Sequence, residues 1–172
     1  MEYMFLPLKR YAEFSGRSRR MEYWMFVVFQ FLLGMAFSVV IMVVGGAAMM
    51  SVGDPRGMMA AGGAVVIVWA LYMLICLALF IPALAVAVRR LHDTNRSGWW
   101  VLAPLAPYVL TLIGAGMAAG GSKAGGLLAL VGGLGAVVLA ITLLVFLFLD
   151  GTMGPNRYGP DPKGRADAQV FA

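Results

Sequence analysis

The chain alternates between long, uninterrupted apolar runs and short polar stretches. The first run extends from about Tyr23 to Val44 with no charge after Glu22, and a second, equally uncharged, extends from about Ala64 to Val88. A third opens at the aromatic pair Trp99-Trp100 and reaches about Met117, and a fourth covers about Gly126 to Leu149. A transmembrane helix needs about 20 predominantly apolar residues to cross roughly 30 Å of hydrocarbon. Each run therefore predicts a spanning helix, the third near the lower length limit. None keeps the polar face of an amphipathic surface helix. The pattern predicts an all-α fold, an integral membrane bundle of four transmembrane helices, as a single domain over residues 1–162, with a short disordered tail over 163–172. No small-x-small cleavage site closes the first run, which is expected to stay as an anchor.

Composition sharpens this. Of 172 residues, 62% are hydrophobic and 12% charged, with a mean hydropathy of +0.87. Globular domains sit near 45–50% apolar and about 25% charged, so an ordinary cytosolic enzyme, a disordered chain and a disulfide-stapled module are excluded. The single cysteine, Cys76, excludes an intramolecular disulfide and a Cys-rich metal site. The single histidine, His92, excludes paired-His zinc motifs. No cofactor is expected.

The net charge of +5 changes the picture through its placement. Lys9, Arg10, Arg17, Arg19 and Arg20 precede the first run; Arg89, Arg90 and Arg96 lie between the second and third; Arg157, Lys163 and Arg165 follow the fourth. The two alternating loops carry only Arg56 and Lys123. Eleven cations against two predict cytoplasmic termini and a cytoplasmic middle loop. Basic residues flanking apolar spans meet lipid headgroups rather than nucleic acid. The two outer loops, Gly45 to Gly63 and Ala118 to Gly125, read as short connectors, with Asp54-Pro55-Arg56-Gly57 a turn.

Three polar segments gather at the inner face. In the first, Phe5, Leu8 and Tyr11 fall at helical spacing after Pro7 and suit a short interfacial helix. Ser18 could cap the first span, and Glu22 suits its positive end. Arg17, Arg19 and Arg20 could hold an anionic headgroup, although topology control alone explains their charge. In the second, Arg89 and Arg90 suit the negative end of a helix, Asp93 lies four residues from Arg89, and Thr94-Asn95 with Ser97-Gly98 makes a turn and a cap. His92 beside Asp93 invites an acid–base reading. Adjacent helix residues point in different directions, however, so a structural hydrogen bond is the plainer role. In the third, Asp150 sits at the end of a helix that disfavours an acid, so it should seek Arg89, Arg90 or Arg20. The Gly- and Pro-rich stretch after it reads as a loop folded back on the helix ends, gripped by Arg157 and Tyr158.

The stretches Gly16-Arg17-Ser18-Arg19-Arg20 before Tyr23-Trp24 and Asn95-Arg96-Ser97-Gly98 before Trp99-Trp100 echo each other. Parallel helical hairpins would produce this, but interfacial selection of Arg and Trp suffices. The spans offer only Gln30, Ser38, Tyr72, Cys76, Tyr108, Thr111 and Thr142 as polar side chains, with no Asp, Glu, Lys, Arg or His, which argues against coupled transport. Gly132, Gly133 and Gly135, with Gly116 and Gly120, allow close helix packing.

Together the segments Phe14 to Trp24, Val88 to Trp100 and Gly151 to Pro162 resemble a bacterial membrane family catalogued as domain of unknown function 805. The resemblance covers most of the chain, from about Leu8 to Pro162; the long Gly- and Ala-rich outer loops depart from it. It implies an inner-membrane location and a multi-span helical fold, and brings no settled activity.

The leading expectation is a non-enzymatic inner-membrane protein whose basic face binds anionic lipid headgroups, a protein partner or a second copy. Arg17, Arg20, Arg89, Arg90 and Arg157 would supply charge; Glu22, Asp93 and Asp150 would act as ion pairs or caps; Trp24, Trp99 and Trp100 would anchor at the interface. The alternative is a membrane enzyme acting on a lipid or polyprenyl phosphate, with His92, Asp93 and Asp150 converging. An oligomeric channel is the third.

Overall fold

The computed structural model describes residues 2–50 and 53–165. Five α-helices follow one another: α1 (Glu2–Lys9), α2 (Arg20–Met50), α3 (Pro55–Asp93), α4 (Leu105–Ala119) and α5 (Lys123–Phe148). A 3-10 helix, Gly98–Leu102, precedes α4. The described residues contain no strand, only an isolated bridge between Asn156 and Gly159. Four segments among them are long and apolar enough to cross a membrane, the 3-10 helix and α4 forming one.

Helix boundaries follow local chemistry. α2 runs past Val44 to Met50 and α3 starts at Pro55, so most of the stretch expected as a connector is helical. Asp54 is the reason on the α3 side. Its carboxylate accepts the N–H groups of Arg56 (3.1 Å) and Gly57 (3.0 Å), and Pro55 occupies the first helical position, where no N–H is needed. The turn read from this tetrapeptide is thus an N-cap, after which Ala and Met carry the helix onward. The third run is divided. Ser97 accepts from the Trp99 amide to start the 3-10 helix, which gives way at Ala103-Pro104 before α4 begins. Ser122 caps α5 by accepting from the Gly125 amide at 3.3 Å. Of the expected tail, Lys163 to Arg165 form turns, and 166–172 lie outside the described residues.

The chain divides into two compact units: the described residues of Met1–Glu13 with Met21–Ala83, and those of Phe14–Arg20 with Leu84–Ala172. In the first, α1 meets α2 and the turn after it reaches α3. Phe5 meets Phe29 edge-on at 5.4 Å, and the Tyr11 hydroxyl donates to the Ala78 carbonyl. Arg10 pairs with Glu13 (2.7 Å) and reaches the buried Glu22 at 3.9 Å. In the second, α4 and α5 meet backbone to backbone. A Cβ on Gly114 would lie 2.3 Å from the Ala129 nitrogen, one on Gly125 2.5 Å from that of Ala118, and one on Gly132 2.7 Å from that of Thr111. Gly132 was anticipated from the sequence; Gly114 and Gly125 were not, and Gly116 faces open space.

Candidate functional site

The second unit has a polar centre built on the last turn of α3. Asn95 adopts a left-handed φ of 59°. The Arg96 amide returns to the Leu91 carbonyl (2.9 Å) and the Asn95 amide to that of His92 (3.0 Å), closing the helix in a Schellman turn. This fixes Arg89, Arg90 and Asp93, which are 0%, 0% and 2% exposed. Ionised groups so deeply buried need partners, and the neighbouring segments bring them.

Asp93 is the hub. Its Oδ1 accepts from Arg17 Nε at 3.0 Å, and its Oδ2 accepts from Arg90 Nη1. Arg17 also donates to the carbonyls of Thr152 (2.6 Å) and Gly154 (2.7 Å). Arg90 donates to the carbonyls of Leu147 (3.2 Å) and Leu149. Those two oxygens and that of Phe148, which accepts from Arg20 at 3.1 Å, lie at the C-terminus of α5, where carbonyls lack helical partners. Guanidinium groups there also meet the negative end of the helix dipole. Arg89 donates to Ser18 Oγ (3.2 Å), while the Ser18 amide donates to the Arg89 carbonyl (3.1 Å).

The segment after α5 closes over this hub. The Thr152 amide donates to the Asp93 carbonyl (2.9 Å) and Asn156 Nδ2 to that of His92 (3.0 Å). Gly151 passes so close that a Cβ there would lie 2.0 Å from Asp93 Oδ2. Farther on, Arg165 pairs with Asp161 at 2.8 Å and donates to the Gly151 carbonyl at 3.0 Å. Burial of Asp161 pushes its carboxyl up, but the Arg165 bond and backbone N–H donors outweigh that and hold it at about 2.

The residues singled out from sequence thus fall into two groups. Arg17, Arg89, Arg90 and Asp93 are buried together, Asp93 pairing with Arg90 and Arg17 rather than with Arg89. Arg20 and Arg157 stay at the surface. Arg20, one of the three arginines expected for it, pairs with Asp150 at 2.9 Å, and Asp150 also accepts from Lys163 at 3.2 Å. Arg157 donates to the Asn95 carbonyl at 3.1 Å and lies over the Tyr158 ring at 4.7 Å. Trp99 is 78% exposed, Trp100 meets Phe146 edge-on at 5.1 Å, and in the first unit Trp24 meets Tyr23 likewise at 5.1 Å. Ser18 serves Arg89 rather than capping α2. The roles of Ser18, Thr152 and Gly151 were missed because backbone carbonyls and close approaches leave no mark on residue type.

His92, Asp93 and Asp150 each engage other groups. Asp93 is held by arginines, Asp150 by Arg20 and Lys163, and His92 Nδ1 faces the Gly16 carbonyl at 3.2 Å. The His92 ring instead stacks on Tyr158, centroids 3.8 Å apart and planes 4° from parallel. Beside this pair a cleft of about 430 Å³ opens between the end of α3 and the 3-10 helix. Among the described residues no cluster of three His, Cys, Asp or Glu is placed to hold a metal.

An all-helical chain with four spanning-length apolar helices and a buried arginine–aspartate centre defines a multi-pass membrane protein. It belongs to the family described as Protein of unknown function (DUF805), which matches residues 11–160. The inner membrane protein YhaI of Escherichia coli (strain K12) is 34% identical over 163 residues, 95% of this chain and 97% of its own length. The inner membrane protein YhaH of the same strain is 32% identical over 167 residues, 95% of this chain and 98% of its own. No solved structure matches the chain. The protein is accordingly a bacterial inner-membrane protein.

Proposed function

We propose that the protein is a non-enzymatic inner-membrane component whose basic cytoplasmic face binds anionic lipid headgroups. The observation that supports this is the division among its arginines. Arg17, Arg89 and Arg90 turn inward and set the scaffold, whereas Arg20 and Arg157 remain outside on it. Arg157 is held by the Asn95 carbonyl and the Tyr158 ring, so a guanidinium edge is fixed in place for a phosphate, which it can bind through two N–H groups. Arg20 and Lys163 share one carboxylate, Asp150, leaving one positive charge in excess. The exposed Trp99 belongs at headgroup depth. The orientation that goes with this reading places both termini in the cytoplasm, following the excess of Lys and Arg there.

The test is native mass spectrometry of the full chain released from membranes with its lipids, beside an Arg20→Ala/Arg157→Ala variant. Each cation near an anionic surface contributes about 1 kcal/mol, so phosphatidylglycerol and cardiolipin retention should fall about tenfold or more, with phosphatidylethanolamine unchanged. Equal retention by a folded variant would remove the reading. A protein lost from the variant in place of lipid would replace it with a partner-binding one.

A further inference from the structure

The cleft beside His92 lies outside the arginine–aspartate hub, and shares with the headgroup reading only Trp99 and Tyr158. Its volume of about 430 Å³ falls within the range of small-molecule sites, about 300–1,000 Å³. Its lining is mixed in character. Leu84 and Val88 from α3, with Val101 and Leu102 from the 3-10 helix, make an aliphatic side that belongs to membrane-spanning segments. Phe14, Trp99, Tyr158 and His92 contribute rings, the last two stacked on each other, and Ser97 adds a hydroxyl.

The hydrogen-bonding state of the polar end follows from geometry. A carbonyl oxygen can only accept, so His92 Nδ1 must carry the proton it gives to Gly16. In the neutral ring Nε2, on the opposite edge, is then an acceptor. Ser97 Oγ already accepts from the Trp99 amide at 3.4 Å, which leaves its hydroxyl proton available to donate. The lining therefore combines a residue with an acceptor, a residue with a donor, aromatic rings and aliphatic side chains of the spanning segments.

We propose that this cleft binds a membrane quinol: a flat ring seated among Phe14, Trp99 and Tyr158, one hydroxyl donating to His92 Nε2, and an apolar tail leaving along Leu84 and Leu102. A phospholipid headgroup suits the cleft poorly, since its lining contains no Lys or Arg. The volume also suits a single ring with the first part of a tail.

The test is isothermal titration of the full-length protein, in nanodiscs of uncharged phosphatidylcholine, with decylubiquinol, decylubiquinone and decanoate as probes. Decylubiquinol should bind saturably with one site per chain. The oxidised form, lacking hydroxyl donors, should bind about fivefold more weakly, the loss of one hydrogen bond. Trp99→Ala removes an exposed wall without touching the buried centre and should weaken quinol binding up to about tenfold. His92→Asn keeps a donor for Gly16 but is too short to put an acceptor where Nε2 stands, and should erase the preference for the reduced form. Absence of saturable binding, or full binding by Trp99→Ala with an unchanged melting temperature, would overturn the proposal. Equal binding of decanoate in competition with decylubiquinol would also overturn it, reducing the cleft to a crevice for alkyl chains.

Discussion

The spanning helices and the arginine–aspartate centre invert the usual relation between burial and polarity. In the most apolar stretches of α2 and α3 no residue is buried within the protein, and in α5 the share is 11%. The largest fully buried side chains include Arg89, Arg90 and Asp93. Soluble proteins show the reverse, with Arg and Asp almost never fully buried unless paired. The difference shows where each kind of interaction has leverage. Lipid is as apolar as leucine, so covering one apolar helix with another gains little in a bilayer. An unsatisfied polar group away from water costs several kcal/mol, so polar closure decides the conformation. The apolar surface places the protein in the membrane; the polar centre determines how the ends of α3 and α5 and the Gly16–Arg20 segment are joined.

That contrast can be broken most strongly at its hub. Asp93→Ala leaves Arg17 and Arg90 buried without their carboxylate, and breaking a buried pair in this way costs about 3–5 kcal/mol. Leu130→Ala, on a residue 60% exposed, should change stability by no more than about 0.5 kcal/mol. Thermal unfolding in the same detergent compares the two, and similar losses would refute the contrast. A smaller effect is expected from Gly151→Ala, whose added methyl must displace the Asp93 carboxylate. Overpacking of this kind costs about 1–3 kcal/mol, and Asp93→Ala/Gly151→Ala should lose less than the sum, because the obstacle is then gone.

The smallest effect concerns acid. Asp161 is depressed from its ordinary 3.8 to about 2 when folded, so its contribution is complete above 3.8 and is lost as pH falls towards about 2. Amide protection over residues 151–165, corrected for the intrinsic pH dependence of exchange, should fall in that interval while α4 and α5 keep theirs. Loosening that begins in α4 and α5 would contradict the assignment.

Much of this fold was legible because membrane insertion writes itself as run length. The helix ends were less so: α2 and α3 extend farther because Asp54 and Pro55 together start a helix as readily as they make a turn. The three inner segments could be read as interacting, and the loop after Asp150 does fold onto the end of α3, with Tyr158 on His92. Which arginine meets which acid could not be read. Asp93 lies three residues from Arg90 and four from Arg89, and both spacings suit a helical pair. Asp93 pairs with Arg90, while Arg89 donates to Ser18, a contact 71 residues apart in sequence.

The span between Arg17 and its carbonyls carries a consequence for synthesis. Thr152 and Gly154 follow Arg17 by 135 and 137 residues. At about 5–20 residues per second, this arginine leaves the ribosome on the order of ten seconds before its last acceptors exist. Every nascent chain therefore passes through an interval in which the guanidinium is hydrated and the centre open. A product terminated before Thr152 never leaves that interval. Closure of the centre thus requires that translation has passed the end of the fourth span.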